Sequence, residues 1–73
     1  MSENFTKYPE IGGIYNHYKG GLYEVITLCT HTETNEILVI YKSLLFGSIY
    51  ARPLESWNSK VGENNIPRFE LKY

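Results

Sequence analysis

An all-β domain made of short antiparallel strands is the fold class that this sequence predicts, and three observations predict it. Residues 14–18 alternate with a period of two, the period of a strand, and other short stretches are rich in β-branched, aromatic and apolar residues. Gly, Asn and Pro punctuate the chain between those stretches, at spacings that suit tight turns. Apolar residues at helical spacing occur over a single turn near Trp57 and nowhere else.

Residues 1–10 are polar with Pro9 near the end, and are expected to be a flexible N-terminal arm leading into one domain over residues 11–73. Along residues 14–18, Ile14, Asn16 and Tyr18 fall on one face, while Tyr15 and His17, continued by Lys19, fall on the other. Gly20 and Gly21 then supply the positive φ angles of a tight hairpin. Residues 22–29 and 37–42 are rich in β-branched, aromatic and other apolar side chains, so both are expected to be buried strands. The polar segment 30–36 joins them, with Glu33 and Thr34 expected to bond nearby backbone and hold the turn.

Residues 43–48 contain Gly47 and are expected to turn the chain into a fourth strand over 49–52. Pro53 suits the first position of a helical turn running to Trp57, in which Leu54 and Trp57, three apart, share a face. Residues 60–65 are expected to be a loop rich in Gly and Asn, and residues 68–72 the last strand. Five short strands, tight turns and one helical turn point to a small SH3-like five-stranded antiparallel barrel, a form that protects strand edges.

Size and composition narrow the function classes. A chain of 73 residues holds one small core, which buries about 60% of the surface exposed on unfolding and rarely supplies more than roughly 3–5 kcal/mol. Cys29 is the single cysteine and His17 and His31 are the two histidines, so neither an intrachain disulfide nor a four-ligand zinc site of these residues is expected. Self-association, giving a homo-oligomer, is the expected support. Residues 1–7 carry no apolar core of a signal peptide and no run reaches the ~18 residues of a membrane span, so a cytoplasmic location without membrane contact is expected. The net charge of −1 disfavours long nucleic acid, whose binding scales with the phosphates neutralised. A small anionic ligand needs only two or three basic groups.

The segment from Gly13 through Tyr15, His17, Tyr18, Lys19 and Gly20 to Val25 resembles the opening of DUF1653, a bacterial and phage family of unknown function. The resemblance continues through His31, Glu33-Thr34, Glu36, Val39-Ile40-Tyr41, Leu44, Arg52-Pro53-Leu54-Glu55 and Pro67-Arg68-Phe69, most of the chain's length. Two places depart from that pattern: Leu45-Phe46-Gly47 followed by Tyr50 replaces a glycine-rich turn and a Trp, and Trp57 stands at a common Phe position. The resemblance implies a small β domain with no established activity.

No nucleophile elbow, Walker segment or paired-carboxylate metal motif is present, and nothing in the spacing of His17, Cys29, His31 and Glu33 forces a nucleophile against a base. A non-enzymatic protein without a cofactor is therefore expected. Seven Tyr, three Phe and one Trp exceed what so small a core hides, and surplus Tyr gathers where one side is apolar and the other wet. The candidate ligand-binding residues are Tyr15, His17, Tyr18, Lys19, Tyr50, Arg52, Trp57, Arg68 and Phe69, in which rings stack on a base while cations hold phosphate oxygens. Each also has a structural reading, as a half-buried strand ring, a local ion pair or a solvated turn residue. The expected ligand is small, anionic and nucleotide-like, for instance a cyclic nucleotide immune signal sequestered by a phage sponge. The alternatives are an SH3-like adaptor with Tyr15, Tyr18, Tyr50 and Trp57 in a peptide groove, or, more remotely, a single-stranded nucleic-acid binder.

Overall fold

Alternating side chains form one sheet whose inner face carries the rings. The computed structural model describes residues 7–73, and contains the strands β1 (Ile14–His17), β2 (Leu22–Thr30), β3 (Ile37–Ser43) and β4 (Ile49–Pro53), the helical turn α1 (Leu54–Trp57), and the short strands β5 (Lys60–Val61), β6 (Ile66–Pro67) and β7 (Phe69–Leu71). Five of these make an antiparallel sheet in the order β4-β3-β2-β1-β7, while β5 and β6 pair with each other. The β1–β2 turn uses Gly20 and Gly21 at φ 103° and 97°, as the sequence predicts.

Register decides which side chains meet. Tyr15 lies opposite Tyr23, His17 opposite Phe69, Val25 opposite Tyr41, and Tyr41 opposite Tyr50. Between Val25 and Thr27 the β2–β3 register shifts by one residue, a bulge that leaves Ile26 exposed and returns Leu28 to the inner face opposite Val39. The core on that face consists of Tyr15, Val25, Val39, Tyr41, Leu54, Trp57 and Phe69. Neither β2 nor β3 is buried on both faces, contrary to the expectation from their apolar runs. Only alternate residues go under, because a single layer covers one side of the sheet.

The helical turn forms one residue later than expected, because Pro53 keeps an extended ψ of 140° as the last residue of β4 and caps the turn instead of opening it, while Leu54 and Trp57 are both buried as expected. Trp57 stacks on Phe69 with ring centroids 3.7 Å apart and planes 5° from parallel, and its edge meets Tyr15 and Tyr41. The expected loop over 60–65 is instead the arm and turn of the β5–β6 hairpin, with Val61 paired to Ile66 and Lys60 to Pro67. The last strand is correspondingly shorter than 68–72. Arg68 sits in the bend between β6 and β7, where its N–H donates to the Ser59 carbonyl and its carbonyl accepts from the Tyr18 N–H.

Closure is where the expected barrel and the structure part. β4 and β7 are the two edges of an open sheet, and no β4–β7 ladder joins them. A three-residue β7 following a self-paired hairpin has little backbone to offer a second neighbour. The sheet nonetheless curls enough to bring the Arg52 guanidinium of β4 within 5.5 Å of the Phe69 ring centroid on β7. Of the expected arm, residues 1–6 lie outside the described residues. Residues 7–10 are tied to the fold: Pro9 is buried, the Asn58 side-chain amide donates to the Lys7 carbonyl at 2.7 Å, and the Glu10 N–H donates to Tyr15 Oη at 2.8 Å.

Candidate functional site

The curl converts sheet register into a hollow. Alternation puts His17, Tyr23, Tyr41, Tyr50, Arg52 and Phe69 on the inner face, and these six line a depression of about 220 Å³ near the seam between β4 and β7. Tyr41 is its floor, 5% exposed, with centroids 5.5 Å from each of Tyr23, Tyr50 and Phe69. Tyr50, 44% exposed, presents its ring at the mouth. His17 packs edge-on against Phe69 at 4.9 Å and Tyr23 at 6.2 Å.

Arg52 is held by neutral partners. Its Nε donates to Tyr41 Oη and its Nη1 to Ser56 Oγ, both at 3.1 Å, so the hydrogen bonds orient the guanidinium without cancelling its charge. Arg68 is similar, with its Nε donating to Ser59 Oγ at 2.9 Å and its guanidinium 5.8 Å from the Tyr18 ring centroid. The Lys19 ammonium also lies 5.8 Å from that centroid. Tyr18 in turn stands 4.7 Å from His17.

His17 records the local field. Burial lowers its pKa below the ordinary value, and Arg52, Arg68 and Lys19 lower it further by repelling a fourth positive charge. Its Nδ1 accepts a hydrogen bond from the Lys19 N–H at 3.2 Å, so the neutral ring carries its proton on Nε2. The result is a neutral donor ringed by three cations.

The nine sequence candidates thus separate into three groups. His17, Tyr50, Arg52 and Phe69 share the hollow; Tyr18, Lys19 and Arg68 form a cation and ring group beside His17; Tyr15 and Trp57 are core residues, 7% and 3% exposed. Lys19 does not extend the Tyr15 and His17 face, because β1 ends at His17 and Lys19 lies in the turn. The anticipated groove of Tyr15, Tyr18, Tyr50 and Trp57 is not one surface. Tyr50 lines the hollow, Tyr15 and Trp57 line a separate cleft, and Tyr18 lines neither.

Tyr23 and Tyr41 belong to the hollow but were not among the candidates. Their signal was parity: Tyr23 is two residues before Val25, and Tyr41 two after Val39, so each shares a face with the best-buried residue of its strand. The separate cleft, about 430 Å³ beside residues 7–10 and β7, is larger. Glu10 and Glu70 line it against a single cation, Lys7, so its net charge opposes an anion. In the 30–36 connection Thr34 Oγ1 accepts from the Glu36 N–H at 3.2 Å, the turn-holding role expected of it, whereas the second such bond is made by His31, whose Nδ1 accepts from the Glu33 backbone N–H at 3.1 Å, and not by the Glu33 side chain. Among the described residues no cluster of three or more His, Cys, Asp or Glu could hold a metal ion, and no helix is long and apolar enough to cross a membrane.

Comparison with known proteins agrees with this architecture. A family model described as a protein of unknown function, DUF1653, matches residues 13–71. No curated protein matches the chain. A crystal structure of a protein belonging to the same family, from Bordetella bronchiseptica, is similar at 35% sequence identity over 80% of this chain and 81% of that one, with a TM-score of 0.69. Since the match spans β1 to β7 and includes every residue of the hollow, the chain belongs to the DUF1653 family.

Proposed function

We propose that this protein is a non-enzymatic binding module which takes a small, planar, anionic ligand of the nucleotide type in the hollow between β4 and β7. One observation carries the reading: an oriented guanidinium with no carboxylate hydrogen-bonded to it among the described residues, Arg52, shares a hollow with an exposed ring, Tyr50, and a neutral donor, His17. A base stacks on Tyr50, a gain of roughly 1–3 kcal/mol, while an anionic oxygen takes the remaining N–H groups of Arg52 and the Nε2–H of His17. Arg68 and Lys19 extend the positive field towards solvent.

Binding is favoured over catalysis because the lining contains no serine, cysteine or carboxylate, and His17 Nδ1 is already committed to the Lys19 backbone. The volume sets the ligand's scale. About 220 Å³ lies below the ~300–1,000 Å³ of sites for drug-sized molecules, so one hollow suits a single base with its phosphate. A cyclic dinucleotide signal, the cargo of a phage sponge acting in the cytoplasm, then needs a second hollow or leaves half of itself in solvent. The curled sheet serves this role as a small SH3-like barrel left unsealed at one seam.

Thermal denaturation with mononucleotides and with cyclic di- and trinucleotides tests the proposal. A ligand present at 100 times its Kd stabilises by about 2.7 kcal/mol, which in a domain of this size raises Tm by roughly 10–20 °C. The absence of any shift with every member of the panel at millimolar concentration rejects it.

A further inference from the structure

We infer that the free edge of β4 is a self-pairing surface, through which two copies of this chain join their sheets antiparallel about a two-fold axis. The hairpin shows which backbone groups are free. The Ser43 N–H donates to the Ser48 carbonyl at 2.9 Å, so Ser43 and Ser48 are a hydrogen-bonded pair, and in an antiparallel ladder such pairs alternate. With Tyr41 opposite Tyr50 and Val39 opposite Arg52, the backbone groups of Tyr50 and Arg52 face β3, and those of Ile49 and Ala51 face outward. Pro53 fits this phase, since its missing N–H falls on the outward side. Among the described residues no backbone bond outside the ladders uses the outward groups of Ile49 or Ala51.

A second copy is the occupant that this edge suits. Residues 43–51 contain no charged side chain, and Leu45, Phe46 and Ile49 are 79%, 76% and 65% exposed. The usual guards of an edge, an inward charge and a Pro, stand only at the last two positions of β4, Arg52 and Pro53, and Ile49, Tyr50 and Ala51 before them carry none. The opposite edge has them. β7 is three residues long, includes Glu70, and is flanked by Pro67 and Lys72. One edge is therefore built to pair and the other to refuse, which gives a closed dimer rather than a growing sheet. Because residues 43–51 are uncharged and antiparallel pairing is symmetric, a copy of itself places no like charges directly opposite each other.

An axis at Tyr50 places Ile49 opposite the partner's Ala51, and each such pair exchanges both N–H···O bonds. The two Tyr50 residues then face each other as a non-hydrogen-bonded pair with Cα atoms about 4.5 Å apart, on the inner side of both sheets. The partner's Tyr50 extends the mouth of each hollow, a consequence that rests on the binding reading above, whereas the pairing itself does not.

The test uses the full chain without ligand. Sedimentation equilibrium is expected to give twice the 8.5 kDa chain mass at high concentration, with amide exchange at Ile49 and Ala51 slowing as concentration rises. Ala51→Pro removes an outward N–H that the β3–β4 ladder does not use, and Ile49→Lys adds a charge at the edge. Both are expected to abolish the doubling, while Leu71→Lys on the opposite edge keeps it. A monomer at millimolar concentration overturns the inference, as does a dimer whose Ile49 and Ala51 amides stay unprotected. If a variant fails to fold, the exchange of the unmodified chain decides. Mass and exchange are read without nucleotide, so this inference and the binding proposal fail separately.

Discussion

His17 senses both burial and charge, and its titration is visible in stability. Its folded pKa lies below the ordinary value of about 6.5, so as pH falls through that value the unfolded chain takes up a proton that the folded chain refuses. Its contribution is complete above about pH 6.5 and is lost towards the depressed folded pKa. Tm is expected to drop over that window in the natural chain, and His17→Gln is expected to flatten this part of a Tm against pH curve. A bound anion offsets Arg52, Arg68 and Lys19, which raises the His17 pKa from its depressed free value, so nucleotide affinity is expected to strengthen as pH falls through the range in which His17 titrates. Calorimetric titrations at two pH values check the sign. Arg52 has two duties that substitutions can separate. Arg52→Ala removes the bonds to Tyr41 and Ser56, costing about 1–3 kcal/mol in denaturant titrations, together with the ligand-induced rise in Tm. Arg52→Lys keeps a charge but not the planar fork, and is expected to stay folded while losing most of that rise.

At the scale of elements, α1 is four residues long yet anchors the inner face. Trp57 is 3% exposed, stacked on Phe69 and in contact with Tyr15 and Tyr41, so Trp57→Ala is expected to cost about 3–5 kcal/mol. For a small domain that is comparable to the whole stability, and circular dichroism is expected to show an unfolded chain at 25 °C. Trp57→Phe, which keeps a ring above Phe69, is expected to fold. The start of β1 carries a different constraint. A Cβ on Gly13 would stand 3.0 Å from Tyr15 Cε1 and 3.1 Å from both the Glu10 carbonyl oxygen and Leu71 Cδ1, a squeeze between three elements. Gly13→Ala is expected to lower stability by about 1–3 kcal/mol in chemical denaturation, because backbone on one side cannot yield.

Across the whole molecule, the curl of the sheet creates the hollow, and the open seam leaves β4 unpaired. Sealing the seam would cover the surface where Arg52 meets Phe69. The same opening leaves a small core with one unpaired edge, and the proposed pairing with a second copy would cover it and stabilise the fold with the logarithm of concentration. Tm is therefore expected to rise with protein concentration. A Tm constant across a hundredfold dilution series would count against the dimer.

Local chemistry alone was sufficient for much of this. Period-two alternation gave the first strand, β-branched and apolar content the second and third, and the turn at Gly47 with Pro53 the fourth, each to within a residue, while Gly20-Gly21 gave the first turn and Leu54 with Trp57 the helical turn. Each rests on interactions among near neighbours, which any stretch of chain displays. The tertiary structure decided the rest. Tyr15 and Tyr50 are the same residue type in similar strand patterns, yet one is core and the other lies at the mouth of the hollow. The difference arises from which strand ends at an edge and how far the sheet bends. Closure, the bulge after Val25 and the convergence of Arg52, Arg68 and Lys19 on His17 depend on contacts between residues far apart in sequence, and alternation along a single strand carries no information about them.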